Sequence, residues 1–360
     1  MTASPLLFVA HTGNVSGAEK VLLHLVAAAV GEGRPVTVAC PTGPLADRLP
    51  EPVAHVELPP LGLGGESGVA RVVGAGRLLG RWVRAGRILR PLMRRGGTVT
   101  IVNSLFALPA VRVGGGRSSA SWLVHDTVVN GKQRAVTTIG KPAIRKAVSV
   151  SEATADPLRA MGFPVVVAHN GVPWPVPRLG GDLHSPPVVG MLALLTPWKG
   201  HRVLLDAVAR LPHVELELAG GSFPGDAGYV AELEARATAP DLAGRVRFLG
   251  HVDPATAMAG WDVVVSASVL PEAGPLNVLE AMSHGLPVVG SDHGGTSEFL
   301  AGGAGVPYPP ADPAALAAAI QRVLDDAELR RSVGDAARAY VAAHHDVNAT
   351  IPAMLHALAS

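Results

Sequence analysis

The chain has 360 residues, 48% of them apolar and 16% charged, which excludes an extended disordered protein and leaves room for two ordinary domains, each with its own core. A formal net charge of +1 supplies no global pull toward nucleic acid or an acidic partner. The single cysteine, Cys40, excludes an internal disulfide framework and any site built from several thiolates.

In chain order, the opening MTASPLLFVAH has no basic residues ahead of a short apolar run, so no signal peptide is expected. No uninterrupted apolar stretch approaches the roughly 18–20 residues that cross a bilayer. The expectation is a cytoplasmic protein. Short, β-branched apolar runs at 6–10, 35–39, 98–102, 121–124 and 146–150 predict buried parallel strands. Residues 18–30 show helical spacing through Val21, Leu22, Leu25, Val26 and Ala29. A helix predicted over about 69–95 holds eight arginines, with Arg77, Arg81 and Arg84 at i, i+4 and i+7. Leu78, Leu79, Trp82, Val83, Ile88 and Leu89 form the rest of its surface. Composition favours the solvated outer helix of an arginine-rich protein; peripheral contact with anionic lipid is the alternative.

The stretch 171–187, GVPWPVPRLGGDLHSPP, is aperiodic and dense in Pro and Gly, and reads as an interdomain linker. The strand–helix alternation then restarts, with strands predicted at 188–192, 214–219, 246–249, 263–266 and 286–290, and helices at 202–210, 229–237, 276–284, 314–324 and 328–343. The pattern gives an α/β fold of two Rossmann-like, doubly wound domains facing a cleft. The boundaries are 1–172 for the first domain, 173–187 for the linker and 188–343 for the second domain. Ligands are expected at the carboxyl ends of the strands.

The most informative stretch is PEAGPLNVLEAMSHGLPVVGS, residues 271–291. Glu272 and Glu280 stand eight apart and straddle Gly274-Pro275. Pro275 suits the first turn of a helix, where its missing N–H costs nothing, so Glu272 lies in the preceding loop and Glu280 about a turn and a half inside. The helix start offers free N–H groups and a positive dipole end to a diphosphate. Carboxylates on either side can accept hydrogen bonds from hydroxyls at both ends of a nucleotide sugar; neither is placed as a metal ligand. Taken alone, two glutamates at this spacing are common by chance.

In its surroundings the stretch is very similar to the E-x7-E signature of the retaining glycosyltransferases of family 4, the "group 1" glycosyl transferases. The segments FVAHTGNVSGAEKVLL, AVSVSEAT, HNGV, TPWKG and FLGHVD fit the same family, so the resemblance covers nearly the whole chain. It implies the type B glycosyltransferase architecture, and a C-terminal helix, 344–360, that returns to the first domain. By position, Glu272 would bind donor-sugar hydroxyls and Glu280 the ribose diol. The backbone around Ala273, Gly274, Leu276 and Asn277 would hold sugar and phosphates, and His251 and Val252 would lie beside the base.

Lys199, in TPWKG after the first strand of the second domain, can neutralise a leaving diphosphate. The family usually has an arginine five residues earlier, where this chain has Leu194. That departure removes one of two cations from the clamp; Arg202, Lys20 and Lys132 are candidate substitutes. In the first domain, Gly17 closes a Gly-containing loop and faces the donor phosphates by resemblance. His125, matching the family position near the reacting sugar, could bond a donor hydroxyl or orient the acceptor, with Asp126 fixing its tautomer. Asn103 is a further acceptor-side candidate. Ser151 and Glu152 read as a helix cap and first-turn acid.

The resulting reading is a metal-independent retaining enzyme without a cofactor, which moves a sugar from a UDP-, GDP- or ADP-type nucleoside diphosphate sugar to a small-molecule or lipid-linked acceptor. Two rivals stand beside it. One is a pseudo-glycosyltransferase or sugar-nucleotide epimerase on the same fold. The other, motivated by Leu194, is a non-catalytic nucleotide-sugar-binding protein.

Overall fold

The computed structural model describes residues 4–62, 69–128 and 130–360. Residues 1–3 of the opening segment and the side chain of Arg71 lie outside the described residues. The chain divides into two compact units, 1–170 with 349–360, and 171–348.

The first unit is a seven-stranded parallel sheet. Its strands are β1 Leu6–Val9, β2 Val36–Cys40, β3 Ala54–Glu57, β4 Val99–Val102, β5 Ala120–Val124, β6 Ile144–Ser149 and β7 Val165–Val167, in spatial order β3-β2-β1-β4-β5-β6-β7. The helices are α1 Gly17–Gly31, α2 Pro44–Asp47, α3 Val69–Met93, α4 Leu108–Gly115, α5 Gly131–Gly140 and α6 Glu152–Ala160. Two edge strands, β3 and β7, were not expected from the pattern. They have few buried side chains, so neither shows the apolar run that marks an inner strand. Leu7, Val9, Val102, Trp122 and Val124 build the core with Leu78, Trp82, Ala85 and Leu89 of α3.

The second unit is a six-stranded parallel sheet: β8 Val188–Leu192, β9 Glu215–Ala219, β10 Val246–Gly250, β11 Val263–Ser266, β12 Val288–Ser291 and β13 Val306–Tyr308, in order β10-β9-β8-β11-β12-β13. Its helices are α7 His201–Val208, α8 Ala227–Ala237, α9 Pro254–Met258, α10 Leu276–Ser283, α11 Gly294–Leu300, α12 Pro313–Asp325 and α13 Ala327–His344. Successive strand residues serve opposite faces. Val189, Met191, Val263, Val265 and Val289 enter one apolar layer, while Val188, Val264 and Val288 enter the other with Trp261 and Leu279. Both faces are covered, which is why these strands read as continuous apolar runs.

The aperiodic stretch 173–187 belongs to the second unit and is strapped to it. Leu179 N donates to the His284 carbonyl at 2.8 Å, Arg338 reaches the Val176 carbonyl at 3.1 Å, and Arg178 pairs with Asp335. The final helix, α14 Val347–Ala359, belongs to the first unit from Ala349 on. There Ser121 Oγ donates to the Leu358 carbonyl at 2.7 Å, and Lys146 Nζ to Ser360 Oγ at 2.6 Å.

Both sheets are the Rossmann-like halves that the alternation predicted. In each, the strand order reverses once, at β1/β4 and at β8/β11. Connections leaving two strands at such a point run to opposite sides, opening a crevice at their carboxyl ends.

Candidate donor site

In the second unit, the loops at the switch point follow β8 and β11. Residues 193–200 leave β8 and carry Lys199; residues 267–275 leave β11 and carry Glu272. Three backbone features bring them together. Val269 N donates to the Trp198 carbonyl at 2.9 Å. Gly200 adopts φ +77, and a Cβ there would stand 1.9 Å from the Ala267 carbonyl oxygen; only glycine permits both the left-handed turn and the approach. Finally, Asn277 Nδ2, in the first turn of α10, donates to the Leu192 carbonyl at 2.8 Å.

The result is a direct pair. Lys199 Nζ donates to Glu272 Oε2 at 2.6 Å, with the two side chains only 13% and 8% exposed. The ammonium also lies 4.1 Å from the centre of the Trp198 ring, a cation–π contact. The other carboxylate oxygen, Oε1, accepts a hydrogen bond from Ser268 Oγ. The loop after β12 buttresses this arrangement: His293 Nε2 donates to the Ser268 carbonyl at 2.8 Å, and Gly295 N to the Glu272 carbonyl at 2.8 Å.

Glu280 is the fifth residue of α10 and half-buried, while Ala273, Gly274, Leu276 and Asn277 are partly accessible at the start of that helix. Pro275 is the residue before the helix rather than its first member. His251 is exposed in the turn after β10, and Val252 packs partly against the apolar layer. Arg202, one candidate for the missing cation, bonds Glu232 at 3.3 Å, with both side chains more than 60% exposed (66% and 62%). Beside it, His201 is fully buried with neither ring nitrogen bonded, and burial, then the Lys199 charge, lowers its pKa to about 4.

In the first unit, Asn103 follows β4 directly. It is 1% exposed, donates through Nδ2 to the Ala18 carbonyl at 3.3 Å, and leaves Oδ1 without a partner. His125 follows β5; its Nε2 has no partner, and burial lowers its pKa to about 4. The carboxyl of Asp126 is bonded to the backbone of Leu105, yet burial pushes it up to about 6. Gly17 is the exposed first residue of α1. Glu19 in that helix is buried; Ser16 N and Oγ donate to its Oε2 at 3.1 and 2.5 Å.

Sequence reasoning missed Ser268, His293 and Gly295. Ser268 stands only four residues before its partner Glu272, at a spacing too common to mark a contact, whereas His293 and Gly295 meet partners in a different strand-end loop, which no local pattern marks.

Residues 181–340 match the model of the family described as "Glycosyl transferases group 1". The match lies within the second unit and covers less than half of the chain. Among curated family relatives, it is 41% identical over 156 residues to the phosphatidyl-myo-inositol mannosyltransferase of Mycolicibacterium smegmatis, covering 41% of this chain and 38% of that protein. It is 32% identical over 176 residues to the lipopolysaccharide core biosynthesis glycosyltransferase LpsE of Rhizobium meliloti, covering 48% and 50%. The chain thus spans half or less of the length of these relatives. Among solved structures it resembles Anabaena HepE in complex with UDP and glucose, with a TM-score of 0.81, 23% identity and coverage of 99% and 100%. It also resembles sucrose-phosphate synthase of Thermosynechococcus elongatus, with a TM-score of 0.81, 19% identity and coverage of 98% of each chain. These similarities give the fold as that of the type B glycosyltransferases.

Proposed function

We propose that the chain transfers a glycosyl group from a nucleoside diphosphate sugar to a hydroxyl of an acceptor, with retention and without a metal. The observation that carries this reading is the Lys199–Glu272 pair beside the start of α10, at the switch point of the second sheet. Lys199 and the free amides of the helix start meet the charge that develops on the departing diphosphate. Glu272, held by Ser268, has lone pairs left for the donor sugar's hydroxyls, and Glu280 takes the ribose diol. Ala273, Gly274, Leu276 and Asn277 line the sugar and phosphates, and His251 and Val252 flank the base.

On the acceptor side, Asn103 and His125 offer buried polar atoms that lack partners, and a neutral imidazole or amide can both give and accept a hydrogen bond, as a hydroxyl does. Asp126 follows His125 in the chain. A same-face attack assisted by the leaving phosphate accounts for retention without a protein nucleophile. The donor is of UDP, GDP or ADP type. Relatives named phosphatidyl-myo-inositol mannosyltransferases support a lipid-linked acceptor, met from the cytoplasm by peripheral contact through residues 69–95. Among the described residues no helix is long and apolar enough to cross a membrane. On α3, Arg77, Arg81 and Arg84 are exposed, as is Leu79 at 59%.

One observation favours the second reading, a nucleotide-sugar binder without transfer. Leu194 stands in place of an arginine, and Lys199 is the only lysine or arginine in the loops that follow β8 to β13. Release of free sugar or product from any donor in an acceptor screen removes it.

A thermal-shift panel of uridine, guanosine and adenosine diphosphates and their sugars tests the donor site. A bound ligand at a hundredfold excess over Kd stabilises the fold by about 2.7 kcal/mol. Lys199→Ala and Glu280→Ala are expected to lose that response; if wild type shows none, or the variants respond like wild type, the donor-site assignment fails.

A further inference from the structure

The site holds one ammonium and two claimants for it. Among the described residues Lys199 is the only lysine or arginine in the strand-end loops of the second sheet, and it is already bonded to Glu272 at 2.6 Å. A diphosphate in this site has to draw on a charge that a carboxylate neutralises at contact distance. Both side chains are nearly buried, where such charges act strongly on one another. With Leu194 in place of a second cation, no neighbouring loop residue dilutes the competition.

We propose that Glu272 governs release of the product, by reclaiming Lys199 from the nucleoside diphosphate once the sugar has been transferred. The inference rests on the donor reading above. While the nucleotide sugar is bound, sugar hydroxyls donate to the Glu272 carboxylate, and Lys199 is free to turn to the diphosphate. After transfer the sugar departs with the acceptor. Among the described residues the carboxylate then has Ser268 Oγ and Lys199 Nζ as its hydrogen-bond donors. Glu272 therefore favours the nucleotide sugar over the bare nucleotide, which limits product inhibition.

The test is calorimetric titration of UDP, GDP and ADP into wild type, Glu272→Gln, Glu272→Asp and Glu272→Ala, with Lys199→Met as a second background. Glu272→Gln keeps an oxygen for Ser268 and Lys199 but removes the charge. The diphosphate that binds wild type is expected to bind Glu272→Gln about tenfold more tightly, and Glu272→Ala more tightly than wild type as well. Glu272→Asp should stay near wild type, and the gain should vanish in the Lys199→Met background. Equal or weaker binding by both neutral variants overturns the inference while the donor reading stands. So does a gain that survives loss of Lys199. If no diphosphate binds wild type or any variant, the donor reading falls and takes the inference with it.

Discussion

Asn277 Nδ2 donates to the carbonyl of Leu192 at 2.8 Å, which joins the first turn of α10 to the last residue of β8, 85 positions away. This bond fixes where the amides at the start of α10 lie relative to the loop that carries Lys199. The side chain of Asn277 therefore positions the site, whatever its backbone does with a ligand. Asn277→Ala leaves the Leu192 carbonyl without that donor and should lower stability by about 1 kcal/mol. It should also weaken nucleotide binding more than an exposed substitution of equal stability cost. Urea unfolding and calorimetric titration of the two variants check this.

Gly295 sits against the loop that holds Glu272. A Cβ there would stand 2.3 Å from the Ala273 carbonyl oxygen, so Gly295→Ala must push that loop away. We expect a loss of roughly 1–3 kcal/mol, the usual range for overpacking, with loss of the nucleotide-induced thermal shift. Gly31→Ala, where a methyl meets nothing within 4 Å, should leave both unchanged.

Three histidines sit where desolvation favours the neutral ring, His201 fully buried and His11 and His125 partly so. Burial lowers His11, His125 and His201 from 6.5 to about 4. Because the folded values lie below the unfolded one, their contribution to stability is complete above pH 6.5 and is lost as pH falls toward 4. Each contributes a slope of up to about 1.4 kcal/mol per pH unit in that window. Asp126, raised by burial from 3.8 to about 6, acts in the opposite sense below pH 6, as does Glu19, also raised by burial, and they offset part of the loss. Unfolding free energy should drop between pH 6.5 and 5. His201→Leu should flatten the slope by one histidine's share, read from urea midpoints across that range.

The arginines of α3 make a further expectation. Arg77, Arg81 and Arg84 are exposed, and none pairs with a carboxylate among the described residues. Near an anionic surface each is worth roughly 1 kcal/mol. Cosedimentation with phosphatidylglycerol vesicles should exceed that with phosphatidylcholine vesicles and should be abolished when all three are changed to Glu. Equal sedimentation with both lipids would remove the membrane contact from the proposal.

Much of the fold was legible because buried parallel strands announce themselves. The valine-rich runs of β8, β11 and β12 are covered on both faces, and no solvent-facing residue interrupts them. Strands β3 and β7 of the first sheet and β13 of the second escaped notice because each is an edge strand of only three or four residues, too short to show a periodic run. Ser151 reads as a helix cap and is one, with its hydroxyl accepting from Thr154 N, because capping is decided within four residues. The stretch 173–187, read from composition as an interdomain linker, bonds to the second unit through His284 and Arg338. Those partners lie more than a hundred residues on, and composition carries no information about them.

The sequence by itself determined what is local: the alternation of strand and helix, the helix start after Pro275, the placement of Glu280 inside that helix, and the cysteine count that bars a thiolate framework. Only the tertiary structure decided that Lys199 and Glu272, 73 positions apart, are bonded partners, and that Ser268 and the loop after β12 hold the carboxylate in place. The physical reason lies in the strand order. Periodicity fixes which residues form strands, but neighbours are chosen by the packing of whole strand–helix units, and that choice set β8 beside β11.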